Sequence, residues 1–433
     1  MVLRNLIRSQ LERGFRVADT TKTLRSRLLR ADRMVTINIP HPLKPGRTFQ
    51  GYRVQHNNLL GPYKGGIRIT GSVCPDELLS LASWMTMKCS LFGLPLGGGK
   101  GGINIDLKLE GGDGLELEKI VRTYTRGISP LIGDKIDIPA PDINTTSMMM
   151  DWMFEEYNTG FYGNNFSEWE HVVTGKSVDC FGLPGRTEAT GVGVYQVLES
   201  YLALHDTQVL GKTFCIQGLG NVGYHLAKKL LSRGAILVGA GDLNGYYVPK
   251  DEGYKRQGPN RCLDLEDVLS VGPESEGCKN ISKREFLQTP CDIMILAASH
   301  LQIDREKAEK LQCQIVIEAA NGPLDIEADK ICRERGIVVI PDILANGGGV
   351  QASYYEMSQI LDMTVDRDII VDNNSRVDNL GRLTDKMERV TSRVVEKHQQ
   401  LQTTGNYSLR DASYCIALDN LERAWKDSHN KSI

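Results

Sequence analysis

Three lysines in the first quarter of the chain stand where an ordinary solvated surface would not place them. Lys64 lies in Pro62-Tyr63-Lys64-Gly65-Gly66-Ile67-Arg68, Lys88 ends a predicted helix, and Lys100 lies in Leu94-Pro95-Leu96-Gly97-Gly98-Gly99-Lys100-Gly101-Gly102. A cation on a glycine-lined backbone can be enclosed by a ligand, because missing side chains let ligand and main chain approach closely. The chemistry this predicts is anion binding in a lysine-using active site. If the three ammonium groups converge, a pair ~6 Å apart repels by roughly 2.8 kcal/mol at an effective dielectric of about 20, or about two pK units. One amine is then partly neutral near neutral pH and can serve as a base. Asp142, held between Pro141 and Ile143, is the complementary acid: it can exchange protons with a substrate nitrogen while Lys100 polarises or deprotonates water. Taken alone, Lys88 also reads as a helix lysine with its stem along an apolar face, and Asp142 as a loop or cap residue.

A second constellation is built for a dinucleotide. Thr213-Phe214-Cys215-Ile216-Gln217 reads as a strand, Gly218-Leu219-Gly220-Asn221-Val222-Gly223 completes G-x-G-x-x-G, and a helix continues over 224–232. One glycine allows the tight turn, another lets the backbone reach a pyrophosphate, and the third lets helix pack on strand while the helix dipole meets negative charge. Residues 235–240 form the next strand, and Asp242 follows at about the offset of a ribose-binding acid. Asp242 also reads as a turn residue before Asn244-Gly245, and Gly241 leaves the preceding position without an acid. NAD and NADP both remain open.

Other chemistries lack their parts. A P-loop needs a glycine where Leu94 stands and a hydroxyl where Gly101 follows Lys100, and neither H-E-x-x-H nor G-x-S-x-G occurs. Ten cysteines are scattered singly, without C-x-x-C, so neither a disulfide framework nor a zinc site is indicated and a reducing compartment fits. A formal charge of -3 gives no long-range attraction to nucleic acid or an anionic membrane. No run approaches the roughly 18 apolar residues of a membrane span.

The elements that must position these residues follow from patterning. A chain of 433 residues is too long for one core, and two domains are expected. Leu3, Leu6, Ile7, Leu11 and Phe15 recur at near-helical spacing, which predicts a structural first helix; the Arg-rich composition of this stretch leaves a transit peptide as the alternative. Residues 35–40 and 49–54 alternate as a hairpin around Lys44-Pro45-Gly46. Pro75-Asp76-Glu77 opens a helix striped by Leu78, Leu81, Ala82 and Met85. A short strand over 103–106, a helix over 116–128 and a strand at 136–139 running into the Pro139-Ala140-Pro141-Asp142 loop complete the first half. From about residue 187 helices alternate with β-branched strands, the texture of a parallel α/β unit. The expected division is 1–186 as an α/β substrate and oligomerisation domain, 187–355 as a Rossmann-like dinucleotide-binding domain, and 356–433 as helices packing back on the first domain across the hinge.

Taken together, these segments resemble the glutamate dehydrogenase family of amino-acid dehydrogenases over essentially the whole chain. The resemblance rests on 62–68, Trp84-Met85-Thr86-Met87-Lys88, 94–102, Pro139-Ala140-Pro141-Asp142, Gly185-Arg186-Thr187-Glu188-Ala189-Thr190-Gly191, 218–223, Glu318-Ala319-Ala320-Asn321-Gly322-Pro323 and Leu344-Ala345-Asn346-Gly347-Gly348-Gly349-Val350. The spacings of 24 residues from Lys64 to Lys88 and 12 from Lys88 to Lys100 also match. The resemblance implies that Lys88 and the backbone at Gly66 hold an α-carboxylate, that Lys100 is the catalytic lysine, and that Asp142 exchanges protons with the amino nitrogen. It implies that Lys64 and Ser353 bind a side-chain carboxylate between walls at Ala140 and Val350. Thr190, Asn321 and Asn346 would contact the nicotinamide end of NAD or NADP, with Gly218, Gly220, Asn221, Val222, Gly223 and Asp242 at the rest of the cofactor.

The activity so implied is reversible oxidative deamination of L-glutamate to 2-oxoglutarate and ammonium. Relatives acting on leucine, valine or phenylalanine carry apolar residues at the positions of Lys64 and Ser353, and a carboxylate against such a wall would be unpaired. The competing readings are a branched-chain or aromatic amino-acid dehydrogenase and a catalytically silent nucleotide-binding relative. The resemblance further implies a homo-hexamer built largely through the first domain. A cleft between 1–186 and 187–355 is expected to close over both ligands, and the cysteine pattern gives cytoplasmic residence as the expectation, with the mitochondrial matrix as the alternative. Departures from the pattern fall at Leu296-Ala297-Ala298-Ser299-His300-Leu301, beside the adenosine, and at Gly349 and Gln351.

Overall fold

The computed structural model describes residues 2–107, 114–161, 171–250, 263, 265, 278–361 and 373–430. It divides into two compact units. The first comprises 1–186, 350–379 and 414–433, and the second 187–349 and 380–413. Residues 362–372 of the C-terminal stretch read as helical lie outside the described residues. Among the described residues no helix is long and apolar enough to cross a membrane.

In the first unit, α1 (Val2–Val17) buries the five residues picked out by spacing, Leu3, Leu6, Ile7, Leu11 and Phe15. Its Gln10 accepts from Trp84 Nε1 at 2.9 Å and from the Tyr414 hydroxyl at 2.8 Å, tying both chain ends to one core. After α2 (Lys22–Leu28), a five-stranded sheet is ordered β1-β2-β4-β3-β5 from β1 (Arg33–Pro40), β2 (Thr48–Asn57), β3 (Tyr63–Thr70), β4 (Gly98–Asn104) and β5 (Asp137–Pro141). β1, β2 and β4 pair antiparallel, whereas β3 pairs parallel with both β4 and β5. Ile37, Ile39, Ile67, Ile69 and Ile103 on one sheet face join α4 (Gly114–Ile128) and α5 (Ser147–Phe161) in a core. Val54 on the other face packs with Val73, Leu78 and Ala82 around α3 (Pro75–Leu91).

The strand after α3 differs from expectation. It runs through the glycines at 98–102 and ends at Asn104, so both Lys64 and Lys100 sit on paired strands. Glycine is costly in a strand unless another backbone must come close. That is the case here: a Cβ on Gly65 would lie 1.6 Å from the Gly99 carbonyl oxygen, and one on Gly101 would meet the Tyr124 hydroxyl at 2.5 Å.

In the second unit, α6 (Ala189–Ala203) leads to β6 (Thr213–Gln217), α7 (Asn221–Ser232) and β7 (Ile236–Gly241). The helix begins at Asn221, earlier than the tyrosine expected to open it. The sheet continues through β8 (Tyr246–Pro249), β9 (Cys278–Ile281), α8 (Lys283–Phe286), β10 (Ile293–Leu296), α9 (Arg305–Lys310), β11 (Ile315–Glu318), α10 (Ile326–Glu334), β12 (Val338–Ile340) and α11 (Asp342–Ala345). Its order is β12-β11-β10-β6-β7-β8-β9, parallel from β12 to β7 with β8 antiparallel to both neighbours. Successive strands leave β6 in opposite directions. That makes the carboxyl end of β6 the switch point at which such sheets bind ligands. The chain ends in α12 (Gly348–Leu361), α13 (Asn373–Gln402) and α14 (Leu409–Asn430).

Candidate active site

Lys100 and Asp142 are brought together directly. Lys100 Nζ lies 2.9 Å from Asp142 Oδ2, and Arg68 Nε reaches the same oxygen at 2.8 Å while its Nη1 holds Glu77 at 2.5 Å. Gly66 makes this possible, because a Cβ there would fall 2.7 Å from Asp142 Cβ. Thr145 fixes the loop by accepting the Asp142 N–H at 2.7 Å and donating to the Ile67 carbonyl at 2.9 Å. Burial opposes a charge on Asp142, but Lys100 and then Arg68 hold its carboxyl well below the usual range. Burial depresses the Lys100 amine, with Asp142 opposing and Arg68 reinforcing.

A second cationic pocket lies around Lys64. Its ammonium is buried and donates to the Ile138 and Pro139 carbonyls at 3.1 and 3.4 Å. Among the described residues it has no carboxylate within ion-pair distance. Burial first, then the Arg186 guanidinium, lowers Lys64 to about 7 against the pull of Glu356. Arg186 Nη2 donates to Ser353 Oγ at 2.9 Å, its Nε is buried without a partner among the described residues, and burial lowers its affinity for a proton. Glu356 accepts the Gly175 N–H at 2.8 and 3.0 Å and Lys176 Nζ at 3.2 Å, clamping a turn whose Thr174 hydroxyl is buried and unpartnered. Lys88, buried in the last turn of α3, acts with Lys64 on the same Cys89 thiol, which burial pushes up to about 12 against both cations. Ala140 pairs in register with Gly66, and Val350 stands one helical turn before Ser353 on α12; both are buried.

Repulsion among lysines is therefore not what leads the shifts. Burial comes first, and arginines are the leading cationic neighbours, with Arg53 acting on both Lys64 and Lys100. Arg53 is fully buried under the sheet, with Nε on Asp137 Oδ2 at 2.8 Å and Nη1 on the Gly65 carbonyl at 3.0 Å.

At the nucleotide end, Gly218 has φ +98 and a Cβ there would meet Ala298 N at 2.6 Å. A Cβ on Gly223 would lie 1.9 Å from the Gly218 carbonyl oxygen. Gly220 is different: among the described residues a Cβ there would meet nothing within 4 Å, and it caps α7 with no side chain on the first N–H groups. An exposed helix start with free amides and an open glycine fits a pyrophosphate. Asn221 Nδ2 donates to the Thr187 carbonyl at 2.7 Å, placing α7 beside the residues that lead to Thr190; Val222 is half-buried next to it. Asn346 Nδ2 donates to Asn321 Oδ1 at 3.2 Å and to the Ala319 carbonyl at 3.1 Å, leaving Asn346 Oδ1 buried and unpartnered. Asp242 is half-buried at the end of β7 and accepts the Asn244 N–H at 2.7 Å, so the turn reading describes its own loop while Asp242 still stands on the ligand edge. The departing run places Gln302 against Ser299 Oγ at 2.6 Å and Gln217 at 3.0 Å, with His300 half-buried beside it.

Reading the sequence assigned no role to Arg68, Thr174, Arg186 or Glu356. Arg68 and Arg186 lay inside segments that carry the family resemblance, and their arginine character was the available signal. Thr174 and Glu356 carried none, since their roles arise only where distant segments meet.

Known proteins place the chain in a family. Residues 182–428 match the family model described as Glutamate/Leucine/Phenylalanine/Valine dehydrogenase, and 31–159 match the one described as Glu/Leu/Phe/Val dehydrogenase, dimerisation domain. The chain is 40% identical to the NAD-specific glutamate dehydrogenase of Clostridioides difficile over 76% of this chain and 77% of that one. It is 38% identical to the NADP-specific glutamate dehydrogenase of Saccharolobus shibatae over 88% and 85% respectively. Its fold is similar to hetero-hexameric glutamate dehydrogenase from Thermus thermophilus in a leucine-bound form, with a TM-score of 0.85, 31% identity, and coverage of 97% and 95%. With both halves matched, an ion-paired lysine and aspartate on the first unit and a dinucleotide turn on the second, the chain belongs to the Glu/Leu/Phe/Val dehydrogenase family.

Proposed function

We propose that this protein catalyses the reversible NAD(P)-dependent oxidative deamination of L-glutamate to 2-oxoglutarate and ammonium. The observation that carries the choice of substrate is the pocket around Lys64. Among the described residues, a buried lysine with no carboxylate within ion-pair distance, an arginine whose Nε has no partner, and the Ser353 and Thr174 hydroxyls favour an anion beyond the charge that Glu356 supplies. A leucine or phenylalanine side chain would leave these groups desolvated and unpaired, at a cost of several kcal/mol. The distal carboxylate of glutamate satisfies them, between Ala140 and Val350.

Lys88 and the Gly66 backbone hold the α-carboxylate. The nicotinamide cofactor, when bound, supplies the hydride chemistry. Residues 218–223 and Asp242 bind its phosphates and ribose, and Thr190, Asn321 and Asn346 orient its nicotinamide end. Lys100 activates the water that adds to the imino acid. Asp142 exchanges the nitrogen proton, and because its carboxyl is held ionised in the free protein, the proton it passes on resides first on Lys100. Arg68 keeps that carboxylate aimed. We further assign a homo-hexamer formed largely through the first unit, supported by the dimerisation-domain match and by the hetero-hexameric Thermus thermophilus neighbour, and cytoplasmic residence, with which cysteines in the thiol form are consistent.

Initial rates with glutamate, leucine, valine, phenylalanine and aspartate, each with NAD and NADP, test this reading. Glutamate should lead by at least two orders of magnitude, by the cost of unpaired polar groups. A preference for leucine, or Lys64→Leu leaving glutamate turnover intact, would refute it.

A further inference from the structure

An ionic cluster to which the sequence reading gave no role ties the end of β11 to the turn after β12. Arg410, in the first turn of α14, is buried among three carboxylates. Its Nη1 meets Glu318 Oε2 at 2.8 Å and Asp342 Oδ1 at 3.3 Å, and its Nη2 meets Asp329 Oδ1 at 3.0 Å. Asp342 accepts the Gly322 N–H on Oδ2 at 2.9 Å and gives its own N–H to Glu318 Oε2 at 2.9 Å. Gly322 directly follows Asn321. Asp342 opens α11, and the C-cap of that single-turn helix is Asn346. One carboxylate therefore grips the chain beside both asparagines, and Arg410 grips that carboxylate.

The charge balance makes the cluster more than a brace. Three buried carboxylates facing one guanidinium leave excess negative charge in a dry site, which is costly unless one of them carries a proton. Glu318 Oε1 is buried and, among the described residues, receives no hydrogen bond, so nothing stabilises a negative charge on that oxygen. The groups facing it are Arg410 from α14, Asp342 from α11, and Asp329 and the Cys332 thiol from α10. Burial leads, Arg410 opposes, and Asp342 and Asp329 add to the rise, so Glu318 is pushed up to about 7.

We propose that Arg410 and Glu318 are positioning residues for the reaction, acting through Asp342 to fix Asn321 and Asn346 against the nicotinamide end of the cofactor. The inference rests on the assignment of those asparagines made above. Ionising Glu318 sets a second negative charge against Asp342 and loosens its hold on Gly322, so cofactor affinity falls as pH rises through about 7.

The test uses the full chain, with reduced NAD or NADP titrated by fluorescence, steady-state KM and kcat for both substrates, and melting temperatures as the folding control. Arg410→Lys keeps the charge but loses the fork. It should weaken cofactor binding about tenfold and lower kcat, while the KM for glutamate stays within about twofold. Glu318→Gln should bind cofactor as tightly as the parent at low pH and lose the step near neutrality. A folded Arg410→Lys with unchanged cofactor affinity and kcat overturns the proposal. Should that variant not fold, a pH step that persists in Glu318→Gln overturns it equally. Asn321→Ala and Asn346→Ala with full cofactor affinity and turnover would instead refute the underlying assignment. Losses in those two with none in Arg410→Lys and Glu318→Gln would refute only the inference drawn from the cluster.

Discussion

Lys100 donates to Asp142 across 2.9 Å, and the second cation on that carboxylate, Arg68, makes the pair lopsided. Asp142 stays ionised in the free protein, so the group that titrates is Lys100, whose amine burial depresses while Asp142 supports it. A lysine acting as a base is competent only above its pKa, so kcat/KM for glutamate oxidation should rise with pH through that value. Asp142→Asn removes the supporting charge. The acid limb of the profile should then move to lower pH, and kcat should fall by about 10²–10⁴-fold, as for loss of a general acid–base group. Lys100→Ala should remove the limb altogether. An unmoved limb in Asp142→Asn would show that the two groups do not titrate as a pair.

Lys64 makes a separate pH prediction. In the empty pocket it stands at about 7, lowered first by burial and then by Arg186. A bound distal carboxylate favours the charged amine, so the complex has the higher pKa. Binding is then tightest below about 7, and above it glutamate affinity falls by up to tenfold per pH unit until the pKa of the complex is passed. Calorimetry at about pH 8 in buffers of differing ionisation enthalpy should register uptake of up to one proton. Lys64→Leu should abolish both the uptake and the pH dependence. Proton release on binding would contradict the electrostatics of the pocket.

The glycine framework separates folding from chemistry at neighbouring positions. A Cβ on Gly65 would lie 1.6 Å from the Gly99 carbonyl oxygen, whereas one on Gly66 meets Asp142 Cβ at 2.7 Å and the Pro141 carbonyl oxygen at 2.9 Å. Gly65→Ala must push a pair of hydrogen-bonded strands apart and should not yield folded protein. Gly66→Ala can be relieved by moving the Asp142 loop, so it should fold while losing about 10²-fold in kcat, because a displacement near 1 Å at a reacting group costs that much. Circular dichroism alongside kcat distinguishes the two.

These contrasts also show where sequence reading succeeds. Apolar spacing in 3–15 carried α1, because a helix face is written locally in its own residues. The strand–glycine–helix order carried β6 and α7 for the same reason, although α7 starts three residues early: nothing local marks Asn221 as helical until Gly220 supplies the cap. The glycines around Lys100 gave no such sign. They form a strand because Gly65, Tyr124 and Arg53 approach from elsewhere, and that approach is visible only in three dimensions. Arg186, the leading cation on Lys64, was equally hidden, since it lies 122 positions away in the chain. Burial and the arginines outweigh repulsion among the lysines, and even Arg53, nearer to Lys64 in the chain than Lys88 is, shows its approach only once the strands are paired.

Gly220 offers the sharpest test of the nucleotide site, because its neighbours place no demand on it. Gly218 needs its positive φ and Gly223 its contact with the Gly218 carbonyl, so alanine at either strains the fold itself. Gly220 has an ordinary φ of −68, and an added methyl would meet no atom of the described residues within 4 Å. If that space is reserved for a pyrophosphate lying on the α7 amides, Gly220→Ala should melt within a degree or two of the parent. It should also raise the cofactor KM by about tenfold or more, the cost of one obstructed close contact. The KM for glutamate should be unchanged, since the residues proposed to bind it lie on the other unit. Equal cofactor KM in parent and variant would mean that the phosphates do not cross Gly220, and the helix start would have to be given up as their binding site.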